Sequence, residues 1–67
     1  MKVIDEFDVS DRMKLRLQVG GYGGDERIDI RQWAEIDNNH IPTKKGINFN
    51  SEWRDRFIAM VEKLKDI

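Results

Sequence analysis

Four cations, a tyrosine and a tryptophan fall on one parity in the first half of this chain, and no other grouping of its residues offers comparable chemistry. In Arg27-Ile28-Asp29-Ile30-Arg31-Gln32-Trp33 the apolar and polar residues alternate. Successive side chains of a strand point to opposite faces. Ile28 and Ile30 therefore share one face, while Arg27, Asp29, Arg31 and Trp33 share the other. An indole on the charged side of a strand is badly placed for a core and well placed to stack on something flat and anionic. The preceding alternation sets Met13, Leu15, Leu17 and Val19 against Lys14, Arg16 and Gln18, and its parity runs on through Gly20 to Tyr22. If the two strands pair, Lys14, Arg16, Gln18, Tyr22, Arg27, Asp29, Arg31 and Trp33 form one face, with four cations against one carboxylate. Unpaired nucleic-acid strands are gripped by this combination. Cations track the phosphates, and rings stack on bases for about 1–3 kcal/mol each with little regard to sequence. Lys44-Lys45-Gly46 adds a third cationic element, whose glycine permits close approach of a backbone. Lysines there also serve to protect an edge strand from aggregation.

Catalysis has little to work with. His40 lies in a polar turn beside Asn38 and Asn39 and reads as a solvated loop residue. There is no cysteine, no serine in a nucleophile context and no histidine-rich metal spacing. Gly20 to Gly24 has no Gly-Lys-Ser/Thr and no helix behind it, so it is a hairpin turn and not a phosphate loop. The residues point to a binding protein with no catalytic residue, no metal and no cofactor.

The elements that must position these residues are four strands followed by one helix, an α+β chain. Met1 to Arg12 reads as a short edge strand with a frayed start, rich in acids. Met13 to Val19 is a half-buried antiparallel strand. Gly20 to Asp25 is a turn, Arg27 to about Glu35 the next strand, and Asp37 to His40 a second turn. Ile41 to Phe49 is a third extended segment, which Pro42 places at an edge or bulge. From Asn50 the period changes. Asn50 or Ser51 can cap a helix, and Trp53, Phe57, Met60, Val61 and Leu64 recur at helical spacing. That stripe reads as core, packed on Leu15, Leu17, Val19, Ile28 and Ile30. Ile58 and Ile67 lie off it, and part of the helix is free to meet a second subunit.

With 67 residues the chain is expected to form a single domain over residues 1–67. A domain this small buries only about 60% of its unfolded surface, and small scaffolds without disulfides often oligomerise. A homodimer is therefore expected, with Trp53, Phe57, Ile58, Val61 and Leu64 at its interface. The net charge of −1 argues mildly against nucleic acid as a partner, although the acids crowd the two ends and the bases the middle. No apolar run approaches the roughly 18 residues of a membrane span, and nothing at the start resembles a signal peptide. The expected location is intracellular, in nucleoid or cytoplasm, or in the host cytoplasm for a viral protein.

Ile28-Asp29-Ile30-Arg31, a turn, Pro42-x-Lys44-Lys45-Gly46-Ile47, then Asn50 and an aromatic-bearing terminal helix together resemble the single-stranded-DNA-binding domain of the transcriptional positive cofactor four family. The resemblance covers about Met13 to Leu64 and is closest to a minimal bacterial or phage-type member. It implies a curved four-stranded antiparallel sheet with one C-terminal helix, paired as a homodimer whose grooves hold unpaired strands. It also implies non-enzymatic, largely sequence-independent binding of single-stranded DNA in transcription regulation, replication or recombination. Transcription or replication proteins are further implied partners. By the same resemblance Tyr22 and Trp33 stack on bases, and Lys14, Arg16, Arg31, Lys44 and Lys45, with Gly46 beside them, meet the backbone; Arg27 joins them by its place on the same face. Eukaryotic members carry two adjacent aromatics after the arginine, whereas here Ala34 follows Trp33. Two other readings of the basic face stand beside this one: a protein-interaction module for an acidic partner, and an RNA binder.

Overall fold

The computed structural model describes residues 1–67, apart from the side chain of Tyr22. Four strands, β1 (Lys2–Ser10), β2 (Met13–Tyr22), β3 (Asp25–Ile36) and β4 (Asn39–Asn50), form one antiparallel sheet in chain order. A 3₁₀ turn over Ser51–Trp53 leads into the single α-helix, α1 (Arg54–Glu62), and a second 3₁₀ turn, Lys63–Asp66, follows it.

Tight turns set the register. Tyr22 pairs with Asp25 and Ile36 with Asn39, leaving two-residue loops. Gly23 and Gly24 have φ of 62° and 81°, and Asp37 and Asn38 have 52° and 66°. Positive φ at both central positions is the type I′ signature, whose twist matches that of the flanking strands. The first turn is thus shorter than the glycine run suggests. Gly20, Gly21 and Tyr22 belong to β2, because a two-residue loop needs only Gly23 and Gly24 to leave the usual backbone region. Likewise Asn39 and His40 belong to β4, and β1 is a full strand of nine residues rather than a short frayed one.

Three register shifts interrupt the ladders. In β1 the shift lies between Asp8 and Ser10, with another between Val3 and Asp5. In β4, Gly46 pairs with Arg31 but Pro42 with Trp33, so Thr43, Lys44 and Lys45 bulge opposite Gln32. Pro42 on this edge strand conforms to its expected position.

The helix does not pack along the sheet as the apolar stripe predicts. Asn50 Oδ1 accepts from the Glu52 backbone N–H and caps the 3₁₀ turn. The chain then meets the apolar face at the Phe49 ring, which stacks on Trp53 at 5.8 Å and lies tilted against Phe57 at 4.8 Å between centroids. Beyond Phe57, Ile58, Met60, Val61 and Leu64 stay exposed, and no residue of the helix is buried. The helix leaves the sheet after its first turn, so the strands of the same chain do not cover its apolar stripe. The apolar core is correspondingly small, with Ile28 at 7% and Phe49 at 5% exposure its only buried members among the described residues.

The molecule is thin, with extents of 39 × 37 × 18 Å. Its radius of gyration is 13.3 Å, against about 11 Å for a compact chain of this length. It exposes 5587 Å², about 1,100 Å² more than a compact monomer of its mass. Among the described residues no helix is long and apolar enough to cross a membrane.

Candidate nucleic-acid interface

Pairing lines the polar side chains into rows across the sheet. One row runs Glu6, Arg16, Arg31, Gly46, and the next Asp8, Lys14, Trp33, Pro42. A third holds Gln18, Asp29 and Asn48, and a fourth Gly20, Arg27 and Asn50. Lys14, Arg16, Arg27, Arg31 and Trp33 therefore share one face, as their parity predicts. Tyr22 has its backbone at the end of β2, but its side chain lies outside the described residues.

Trp33 and Arg16 form a stacked pair. The Arg16 guanidinium carbon sits 4.2 Å from the centroid of the indole, within cation–π range. Trp33 is half-buried and its Nε1 is buried with no hydrogen-bond partner. The indole therefore backs a flat cation instead of standing free.

Arg16 is held in turn by a residue that the parity of β2 and β3 does not reveal. Its Nε donates to Glu6 Oε1 at 2.8 Å, and Lys14 Nζ donates to Glu6 Oε2 at 3.2 Å. The Lys14 ammonium and the Arg16 guanidinium hold the Glu6 carboxyl below its ordinary value of 4.5. The expected surplus of cations over acids on this face is thus smaller, because β1 contributes Glu6 and Asp8 to it.

Deeper in the face, Asp29 is only 8% exposed. It accepts from Arg31 Nε and Nη2 (the latter at 3.1 Å) and from Asn48 Nδ2 at 3.2 Å. Arg31 Nη1 donates to the Thr43 carbonyl at 2.8 Å. Thr43 Oγ1 donates to the Gln32 carbonyl at 2.8 Å and accepts from the Lys45 N–H at 3.2 Å. Arg31 is thereby engaged at all three guanidinium nitrogens, and it ties the bulge of β4 to the centre of the sheet. A Cβ at Gly46 would lie 2.7 Å from both Arg31 Cβ and the Ile30 carbonyl oxygen, so β3 itself approaches this glycine closely. Arg27 donates from Nε to Asn48 Oδ1 at 2.8 Å and keeps Asp25 at 3.9 Å. Lys44 and Lys45, exposed on the bulge, form no ion pair among the described residues. No group of three potential metal ligands occurs among the described residues.

The residues expected at a dimer interface lie apart from this face, on the helix and the 3₁₀ turns that flank it. Trp53 is 62% and Leu64 60% exposed, and Ile58 and Val61 are exposed with them. Phe57 alone is half-buried, against Phe49.

The family model described as transcriptional coactivator p15 (PC4) matches residues 9–60, most of the chain. The chain belongs to the PC4 family. PC4 proteins are DNA-binding, coactivator-type and non-enzymatic as a family. Among solved structures, a PC4 homologue from Burkholderia pseudomallei superposes with a TM-score of 0.83 at 23% identity, covering 96% of both chains. A bacteriophage T5 homologue of PC4, described as implicated in recombination-dependent DNA replication, gives a TM-score of 0.73 at 26% identity, covering 97% of this chain and 77% of the phage chain. No curated protein matches the sequence. The PC4 fold, four antiparallel strands and one C-terminal helix, is therefore shared with a minimal bacterial and a phage relative.

Proposed function

We propose that the polar face of this PC4-family protein binds single-stranded DNA with little sequence preference, and that it works as a homodimer. The observation that carries the first part is the Arg16–Trp33 pair, a flat cation backed by an aromatic ring. Bases of any identity stack on such a surface, and arginine adds attraction for their π faces and phosphates. Lys14 stands beside the pair, Lys44 and Lys45 lie on the β4 bulge opposite Gln32, and Arg27 lies further along the same face. Arg31, taken up by Asp29 and Thr43, acts chiefly as a strut for the lysine-bearing bulge.

The excess exposed surface supports the second part. About 1,100 Å² beyond a compact monomer exceeds the roughly 800 Å² per partner of a standard interface. Uncovered apolar residues of the helix and of the 3₁₀ turn after it, Ile58, Met60, Val61 and Leu64, contribute to that exposed area. The phage relative's link to recombination-dependent replication favours a role where unpaired strands are exposed. The coactivator character of the family favours transcription regulation.

Fluorescence anisotropy with a labelled oligothymidine of about 20 nucleotides tests the binding reading. Trp33→Ala should weaken binding roughly 5- to 150-fold, the equivalent of about 1–3 kcal/mol of stacking. Duplex of equal length should bind more weakly than the single strand. Equal affinity of wild type and Trp33→Ala would sink the stacking role.

A further inference from the structure

We infer that Glu6 is a built-in competitor for the phosphate sites at Lys14 and Arg16, and that it sets how tightly this face holds a nucleic-acid backbone. The inference rests on the single-strand reading above. Glu6 presents one oxygen to Lys14 Nζ at 3.2 Å and the other to Arg16 Nε at 2.8 Å. Two oxygens of a phosphate would offer the same donors the same charge-assisted bonds. The two anions therefore compete for the charge of the same two cations.

Nothing in the fold demands a carboxylate there. Every residue of β1 is exposed, and the strand lies at the edge of the sheet. Asp8, on the same strand and face and opposite Lys14 in register, makes no ion pair among the described residues. Occupation of the two cations is thus particular to Glu6, not a general effect of the acidic strand. An arriving strand meets open cations at Lys44 and Lys45, whereas at Lys14 and Arg16 it meets charge that Glu6 already partly neutralises and recovers in full only by displacing Glu6. The displaced carboxylate stays close and repels phosphates, so it opposes binding in both states.

Glu6→Gln and Asp8→Asn, each removing one negative charge from the same face, separate this inference from a general charge effect. Binding of a roughly 20-nucleotide oligothymidine is measured across a salt series. For Glu6→Gln the dependence of log affinity on log salt should steepen by up to about 1.4, two phosphates at about 0.7 each, with affinity rising about fivefold or more at low salt. Asp8→Asn should keep the wild-type slope. Glu6→Thr, a strand former too short to bridge both cations, should behave as Glu6→Gln does. If Glu6→Gln matches Asp8→Asn, or binds no tighter than wild type, the competitor role is overturned while the single-strand reading stands. If neither wild type nor Glu6→Gln binds, both fall together.

Discussion

On the polar face of the sheet most charged side chains meet a partner from the same chain, whereas on the apolar face only Ile28 and Phe49 are covered. The polar side is held by side-chain networks. Asp29 fixes Arg31, Arg31 fixes the Thr43 carbonyl, and Glu6 fixes Lys14 and Arg16. Such a surface has lost much of its side-chain freedom before any ligand arrives, which lowers the entropic cost of binding. The apolar side is the reverse. Phe49, Trp53 and Phe57 make one aromatic cluster, and the rest of the helix has nothing to rest against. One face is ordered in advance of the ligand proposed for it, and the other is left open to the proposed second subunit.

That contrast can be broken most forcefully from the apolar side. Val61→Asp places a charge where the second subunit is proposed to sit, and should weaken self-association about 100-fold, as loss of an interface hot spot does. Sedimentation equilibrium reads this directly, and a variant that stays dimeric at wild-type concentrations would move the interface elsewhere. On the polar side, the double variant Lys44→Gln, Lys45→Gln should flatten the salt dependence of oligothymidine binding by about 1.4. Its melting temperature should stay at the wild-type value, because neither lysine is paired. A change in melting without a change in slope would assign the lysines to the fold instead.

The smallest effect lies with Glu6. A folded-state value held below 4.5 by Lys14 and Arg16 means that its contribution to stability is present above 4.5 and lost as pH falls through the folded value. Wild type should therefore melt above Glu6→Gln at neutral pH, and the gap should close in acid. A gap that persists in acid would show that the difference comes from packing rather than charge.

The central pair of strands was legible because β2 and β3 are joined by a two-residue turn and pair without a bulge from Met13 to Tyr22. Parity alone then places Lys14 opposite Trp33 and Arg16 opposite Arg31. Glu6 was not legible for a definite reason. Counting back from the Ser10–Met13 pair without interruption sets Glu6 against Leu17, on the apolar face. The shift at Val9 moves it by one residue, to Arg16. A one-residue slip exchanges the two faces of a strand, and no residue type in Asp8-Val9-Ser10 announces it. In β4 the shift adds two residues, so parity survives and Gly46 still comes opposite Arg31. The helical stripe was legible as apolar, but its spacing says only that something must cover it. Whether the cover comes from the same chain depends on the path after Asn50, which the pattern does not encode.

The order of the strands carries a kinetic consequence. Every strand pairs only with its neighbour along the chain, across the two-residue links Asp11-Arg12, Gly23-Gly24 and Asp37-Asn38. No closure of a long loop is required anywhere in the sheet, and chains rich in local contacts form quickly. The hairpins can zip in succession from any turn, while in the proposed homodimer the apolar face stays open until two molecules meet. On that proposal the slow step in reaching the native state is an encounter, and its half-time should shorten as the concentration of the protein is raised.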